Sequence, residues 1–185
     1  MPYLIIYIEF YLQISNYAII LGIVLTLSAI TSVILGRVVD KYGKRKFLVP
    51  SSIMFTIGML LMYVIGKTLV DYTLVLTLLL GVIGTIMMSG NLLLMMILTA
   101  SSRDKMPQAH RGHFAGIRMI FFIMLPMVIG PFIGSTIIKN SSMTFYDEFN
   151  ILQSVPIPEI FLGAAIVSLL AFIPIYMMLK FMKKA

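Results

Sequence analysis

The chain has no cysteine and no tryptophan among its 185 residues. Without cysteine there is no disulfide frame, no thiolate metal ligand and no thiol nucleophile. Without tryptophan, tyrosine is the only interfacial aromatic residue with a polar tip. Charge is scarce too: 11% of residues are charged, against roughly 25% in an ordinary soluble protein. No Gly-rich P-loop is present, so the chain does not hydrolyse ATP by itself. There is no HExxH, no G-x-S-x-G and no cluster of carboxylates at a membrane edge, which argues against an intramembrane protease, lipase or phospholipid transferase.

What the chain has in abundance is apolar surface. Hydrophobic residues make up 60% of it, against roughly 45–50% in a soluble domain, and the mean hydropathy is +1.04. A soluble fold of this size has no interior large enough to hide them. The composition excludes a water-soluble globule, a disordered tail and a nucleic-acid-binding module. The net charge of +7 does not restore the last of these, because the bases sit between apolar runs and form no patch. The partner that the composition demands is a lipid bilayer. The 16 methionines fit lipid-facing helices and carry no functional meaning by themselves.

A helix needs about 20 apolar residues to cross the roughly 30 Å hydrocarbon layer. The charges cut the sequence into five such runs, expected at about 16–36, 47–66, 73–100, 119–138 and 160–179. The runs are continuous and do not alternate, so the spans are helices and not barrel strands. The fold class is an all-α polytopic bundle. Residues 1–12 are apolar apart from Glu9 but reach only about 18 Å as a helix. No basic segment precedes them, so they read as the end of a sixth span whose beginning is missing and not as a signal peptide.

The basic residues set the orientation. Arg37, Lys41, Lys44, Arg45 and Lys46 follow the first run, Arg103, Lys105, Arg111 and Arg118 follow the third, and Lys180, Lys183 and Lys184 end the chain. The other connections hold Lys67 and Lys139 alone. Alternate connections therefore hold twelve bases against two, which places 37–46, 101–118 and 180–185 in the cytoplasm and 67–71 and 139–159 outside.

The sharpest local signal is Gly36-Arg37-Val38-Val39-Asp40-Lys41-Tyr42-Gly43-Lys44-Arg45-Lys46. Positive-inside charge explains the bases. It does not explain an acid four residues after one glycine, or a second glycine before three bases. The stretch resembles the signature loop of the major facilitator superfamily, G-x-x-x-D-[RK]-x-G-[RK]-[RK]. Gly36, Asp40, Lys41, Gly43, Lys44 and Arg45 match it, with Val38-Val39 where the family usually has Leu-Ala. The resemblance implies a gating motif after the second helix of a six-helix half, with Asp40 as a latch, Gly36 allowing close helix approach and Gly43 making the turn.

Further features are weaker. Arg111-Gly112-His113-Phe114-Ala115-Gly116-Ile117-Arg118 opens the fourth run. It reads as a basic loop with small packing residues, and the resemblance makes it the lead into the fifth helix of a half. His110 and His113 lack any carboxylate or thiolate companion, so no metal is expected. Gly130-Pro131-Phe132-Ile133-Gly134 combines a kink with a small-residue packing face and is similar to an element of antiporter-type family members, without their upstream glycines. Asn91, beside Ser89 and Gly90, places an amide in hydrocarbon, as interhelical glue or as a cavity-lining contact. Tyr3, Tyr7 and Tyr11 form a stripe on one helix face. Glu9 nearby either carries a coupling proton at membrane depth or sits at the outer interface. Glu9, Asn91 and Arg118 are the candidate residues of a substrate or ion pathway.

The resemblance implies a transporter half, with a small-molecule substrate and the other half of the transporter as partners and no cofactor. The C-terminal half is favoured, since the chain stops soon after its last run. The competing class is a non-transporting membrane fragment or assembly partner. The orientation is tested with engineered cysteines, each unique in this chain. Ser102→Cys is expected to resist a membrane-impermeant thiol reagent in intact cells and Ser141→Cys to react; the reverse pattern overturns the assignment.

Overall fold

The computed structural model describes residues 2–14, 16–68, 73–104, 111–139, 141–146 and 150–182. Among them, five helices are long and apolar enough to cross a bilayer: Tyr17–Tyr42, Lys44–Thr68, Leu74–Asp104, Gly112–Ile138 and Glu159–Met177. Helices are the form these segments must take, because hydrocarbon offers no partner to an unpaired backbone N–H or C=O.

The elements run as follows. Helix α1 (Pro2–Ile6) continues as a π-helical turn over Tyr7–Tyr11. It ends at Gln13, which takes a left-handed φ of 52° and lets Leu12 and Ile14 both bury while their N–H groups donate back to Tyr7 and Ile8. Helices α2 (Tyr17–Tyr42), α3 (Lys44–Thr68) and α4 (Thr73–Asp104) follow. Next, α5 (Arg111–Met119) passes through a π turn at Ile120–Met124 into α6 (Leu125–Ile138). The wider turn falls just before Pro126, where the missing N–H interrupts the regular ladder. Strands β1 (Thr144–Tyr146) and β2 (Leu152–Ser154) pair antiparallel, Phe145 opposite Gln153. Helices α7 (Glu159–Leu170) and α8 (Phe172–Met182) complete the described chain. They are separated at Ala171, three residues before Pro174, whose ring leaves the Leu170 carbonyl without its usual donor.

The helices extend beyond the apolar runs. Nearly all of the 37–46 connection is helical: α2 continues to Tyr42 and α3 begins at Lys44. The run at 119–138 belongs to a helical segment that starts at the basic stretch, and the run at 160–179 is divided at Ala171. The small hairpin in 139–159 has no counterpart among the sequence expectations.

Helix α3 is central. It packs most extensively on α4 and also meets α7 and α8, while α4 packs in turn on α2. The α3–α4 contact is close because two glycines sit in it. A Cβ on Gly58 would lie 2.7 Å from the Met87 Cβ and 2.8 Å from its Cα, and one on Gly90 would lie 2.8 Å from the Phe55 backbone nitrogen. Two apolar clusters flank this seam. One gathers Tyr7, Ile8, Val24, Met62, Leu80 and Phe161. The other, toward the opposite end, gathers Val39, Leu48, Leu93, Ile97 and Ile175. By contrast, α6 and the turn before it are exposed along most of their length, Phe132 being 74% exposed.

Gly58→Ala is expected to destabilise the chain by about 1–3 kcal/mol, because its new methyl meets backbone and not the end of a flexible side chain. Gly81→Ala, with nothing within 4 Å of its Cβ position, is expected to be neutral or stabilising, since alanine is the better helix former. Circular-dichroism melts of the purified chain in detergent compare the two, and equal effects would remove the seam as the reason.

Candidate functional site

The polar residues gather at the two ends of the bundle and in a thin internal layer. At the end that the charge count assigns to the cytoplasm lies the signature segment. Gly43 joins α2 to α3 with a φ of 95°, a value that side chains with a Cβ rarely adopt. Its N–H donates to the Val39 carbonyl at 2.8 Å, closing α2, and its carbonyl accepts from Lys46 N–H at 3.2 Å. Gly36 is buried against α4, where a Cβ would lie 3.4 Å from Met96 Cε.

Asp40 is exposed on the last turn of α2, with no hydrogen bond or ion pair among the described residues. The ion pair at this end is a different one: Lys44 Nζ meets Asp104 Oδ2 at 2.6 Å and ties the start of α3 to the end of α4. Lys41 stands over the Tyr42 ring, 5.6 Å from its centre, and Arg45 occupies the first turn of α3. Arg118 donates to the Ser102 hydroxyl at 3.4 Å, so it anchors α5 to the end of α4.

The opposite end is closed by α1. Tyr7 is only 1% exposed. It stacks on Tyr11 at 5.2 Å and meets the edge of Phe161 at 5.0 Å, with its hydroxyl against Gly66 of α3. That hydroxyl is buried without a hydrogen-bond partner among the described residues. Beside it, Lys67 Nζ reaches Glu159 Oε1 at 3.1 Å, joining α3 to α7, and lies 5.1 Å from the Tyr63 ring centre. Phe10 stacks on Phe145 of β1 at 4.5 Å. Glu9, half-buried in the π turn, belongs to this end and has no ion pair among the described residues. Tyr3 donates to the Pro131 carbonyl at 3.4 Å and its ring covers Gly134. Gly130 has nothing within 4 Å of its Cβ position.

Between the ends, most hydroxyls are satisfied by the carbonyl one turn back, as for Ser52, Thr56 and Thr85. Two link helices. Thr56 of α3 and Ser168 of α7 share a hydrogen bond of 2.9 Å, and Ser28 of α2 donates to the Thr85 carbonyl of α4 at 3.3 Å. Ser89 is fully buried, its hydroxyl without a partner among the described residues. Asn91 is half-buried and has no hydrogen bond among the described residues.

The candidates are therefore dispersed. Gly36 and Gly43 make a close approach and a turn, and Lys44 carries an ion pair. Glu9 and Arg118 lie at opposite ends of the bundle, Asn91 lies between them, and the three do not converge. Sequence reading passed over Asp104, Thr56 and Ser168, since a lone acid after a basic residue and single hydroxyls in apolar runs give no pattern. In the sequence Lys67 stands only as the lone base of its connection, with nothing to tie it to Glu159. His110 lies outside the described residues.

The sequence profile of the Major Facilitator Superfamily matches residues 1–184. The chain belongs to that family, and is thus an integral, multi-pass membrane protein of a family of transporters, not of enzymes. No individually characterised protein and no solved structure matches it.

The internal bond and the exposed ion pair are expected to contribute little. A double-mutant cycle of Thr56→Val and Ser168→Ala should give a coupling of about 0.6 kcal/mol, and no more than about 1.7 kcal/mol. Asp104→Asn should cost less than about 1 kcal/mol, because Asp104 and Lys44 are solvent-accessible. Reversible unfolding in detergent measures both; a larger loss for Asp104→Asn would make the ion pair a structural anchor.

Proposed function

We propose that the chain forms one half of a secondary active transporter, which moves a small solute across the plasma membrane by alternating access and draws on an ion gradient. The absence of a nucleotide-binding motif points to a gradient as the energy source. Alternating access needs a second bundle to rock against, so the other half of the transporter is the partner.

The observation that carries this reading is the state of Asp40. It stands at the inner end of α2, in the six-position signature, with no partner among the described residues. Lys44, the nearby base of the same motif, is held by Asp104 of α4. A carboxylate at a membrane edge favours a basic partner or a helix N-terminus. For Asp40 that partner lies on the other half, and making and breaking the contact gives the two states that rocking requires. Glu9 is the candidate carrier of a coupling proton. Asn91 is the candidate solute contact, and Arg118 lines the inner mouth of the pathway.

In the assembled transporter, Asp40→Asn is expected to reduce turnover at least about tenfold, equivalent to roughly 1.4 kcal/mol on the rocking barrier, with expression little changed. Lys46→Gln, outside the matched positions, should have a much smaller effect. Equal effects in a flux assay would reduce the segment to a topological anchor and remove the latch.

A further inference from the structure

Arg118 is a base without an acid. It is half-buried where α5 meets the end of α4, and a guanidinium carries five N–H donors. Among the described residues it engages Ser102 alone, at 3.4 Å. The Ser102 hydroxyl in turn donates to the Thr99 carbonyl at 3.0 Å. It therefore holds the guanidinium in place but cannot balance its charge. A half-buried charge with no counter-charge is costly at a membrane edge.

This chain has no acid to send there. Glu9 and Glu159 lie at the opposite end of the bundle. Asp71, Asp147 and Glu148 fall in the connections 67–71 and 139–159 of that same end. Residues 105–110, between α4 and α5, include Lys105 and no acid. Asp104 is engaged by Lys44 at 2.6 Å, and Asp40 stands on α2 with no ion pair among the described residues. The stretches 37–46 and 103–118 hold nine bases against these two acids, so the counter-charge of Arg118 comes from outside the chain.

The surroundings say which kind of anion fits. Phe114 lies one turn before Arg118, and Phe121 and Phe122 lie one turn after it; all three are exposed. The helical segment Gly112–Ile138 carries bare apolar surface on nearly every side. Free phosphate would use the guanidinium and leave that surface uncovered. A protein partner covers one face of a helix, whereas hydrocarbon chains fit all of them. A phospholipid uses both features at once: its phosphate meets the planar fork of arginine and its acyl chains lie along the rings. Exposed Arg103, next to Ser102, adds a second positive charge at the same edge, which favours a headgroup of net negative charge.

We propose that Arg118, positioned by Ser102, binds the phosphate of an anionic phospholipid in the leaflet at this end of the bundle, with the acyl chains against Phe121 and Phe122. The site rests on the chain being a membrane protein and not on the transport reading.

The full chain is reconstituted in phosphatidylcholine vesicles containing a small fraction of phosphatidylglycerol with a diazirine in its acyl chain, and labelled residues are read by mass spectrometry. Phe121 and Phe122 are expected to label saturably, with displacement by unlabelled phosphatidylglycerol and not by inorganic phosphate. A phosphatidylcholine probe should label them without saturation. Arg118→Gln should lower the saturable label about tenfold, as for one lost charge-assisted contact. Arg118→Lys, which keeps the charge and loses the fork, and Ser102→Ala, which keeps the charge and loses its anchor, should lower it by smaller factors. Lys46→Gln, at an exposed base of α3, should leave it unchanged. Labelling of exposed Phe132 by the phosphatidylcholine probe checks that each variant is folded; if Arg118→Gln fails that check, Arg118→Lys and Ser102→Ala carry the comparison. Saturable label that survives loss of the guanidinium overturns the proposal. So does equal saturation by the phosphatidylcholine probe, or displacement by inorganic phosphate. Repeating the labelling in the membranes in which the chain is expressed tests the remaining occupant: absence of label there means that another protein covers the face, and also overturns it. The readout is labelling and not flux, so its failure leaves the Asp40 comparison standing, and the reverse holds.

Discussion

The contact on which the rest of the bundle depends is the close approach of α3 and α4. Between helices in lipid there is little hydrophobic driving force, because hydrocarbon tails are as apolar as leucine. Association must come from dispersion between well-fitted surfaces, which falls off steeply with separation. Gly58 and Gly90 bring backbone against backbone at two levels of the seam. Helix α4 then offers its other side to α2, and α3 offers its own to α7. The helical segment Gly112–Ile138 stands apart from this arrangement, and its apolar surface faces outward on nearly every side.

Polarity is distributed to match. Among the described residues, ion pairs of Lys44 with Asp104 and of Lys67 with Glu159 lie at opposite ends, where water or headgroups lower the cost of a charge. Within the bilayer depth, hydroxyls fold back onto their own helices. That returns a partner to each O–H but contributes little to association. Among the described residues, the hydroxyls of Tyr7 and Ser89 and the amide of Asn91 stand outside this scheme. They mark the places where the packing of this chain is not self-sufficient.

The bundle was legible in the sequence because its strongest signals, apolar run length and the position of bases, follow directly from the bilayer. The helical connection at 37–46 was less so. Apolarity ends near Gly36, but the backbone ladder continues through charged residues that hold a helix as well in water as in lipid. The division at Ala171 had a visible cause in Pro174, yet proline is common in membrane helices, and which one separates two segments depends on their neighbours. Of the candidate site, Gly36 and Gly43 were readable through the resemblance to the signature loop, whose fixed glycines answer a close approach and a turn. Asp104 was not, since any exposed side chain fits its position and only the arrival of Lys44 from another helix gives it a role. Glu9, Asn91 and Arg118 each invited a functional reading as a polar residue in apolar surroundings, but whether such residues meet is a property of the fold.

The single non-helical residue between α2 and α3 has a mechanical consequence. Two rods of 26 and 25 residues joined only by Gly43 leave no slack at the turn. Neither can stand at a distance from the other. The pair is a tight helical hairpin whose turn carries the bases. Because α4 packs on both members of that hairpin, a segment that displaced either rod would disturb the whole α2–α3–α4 unit.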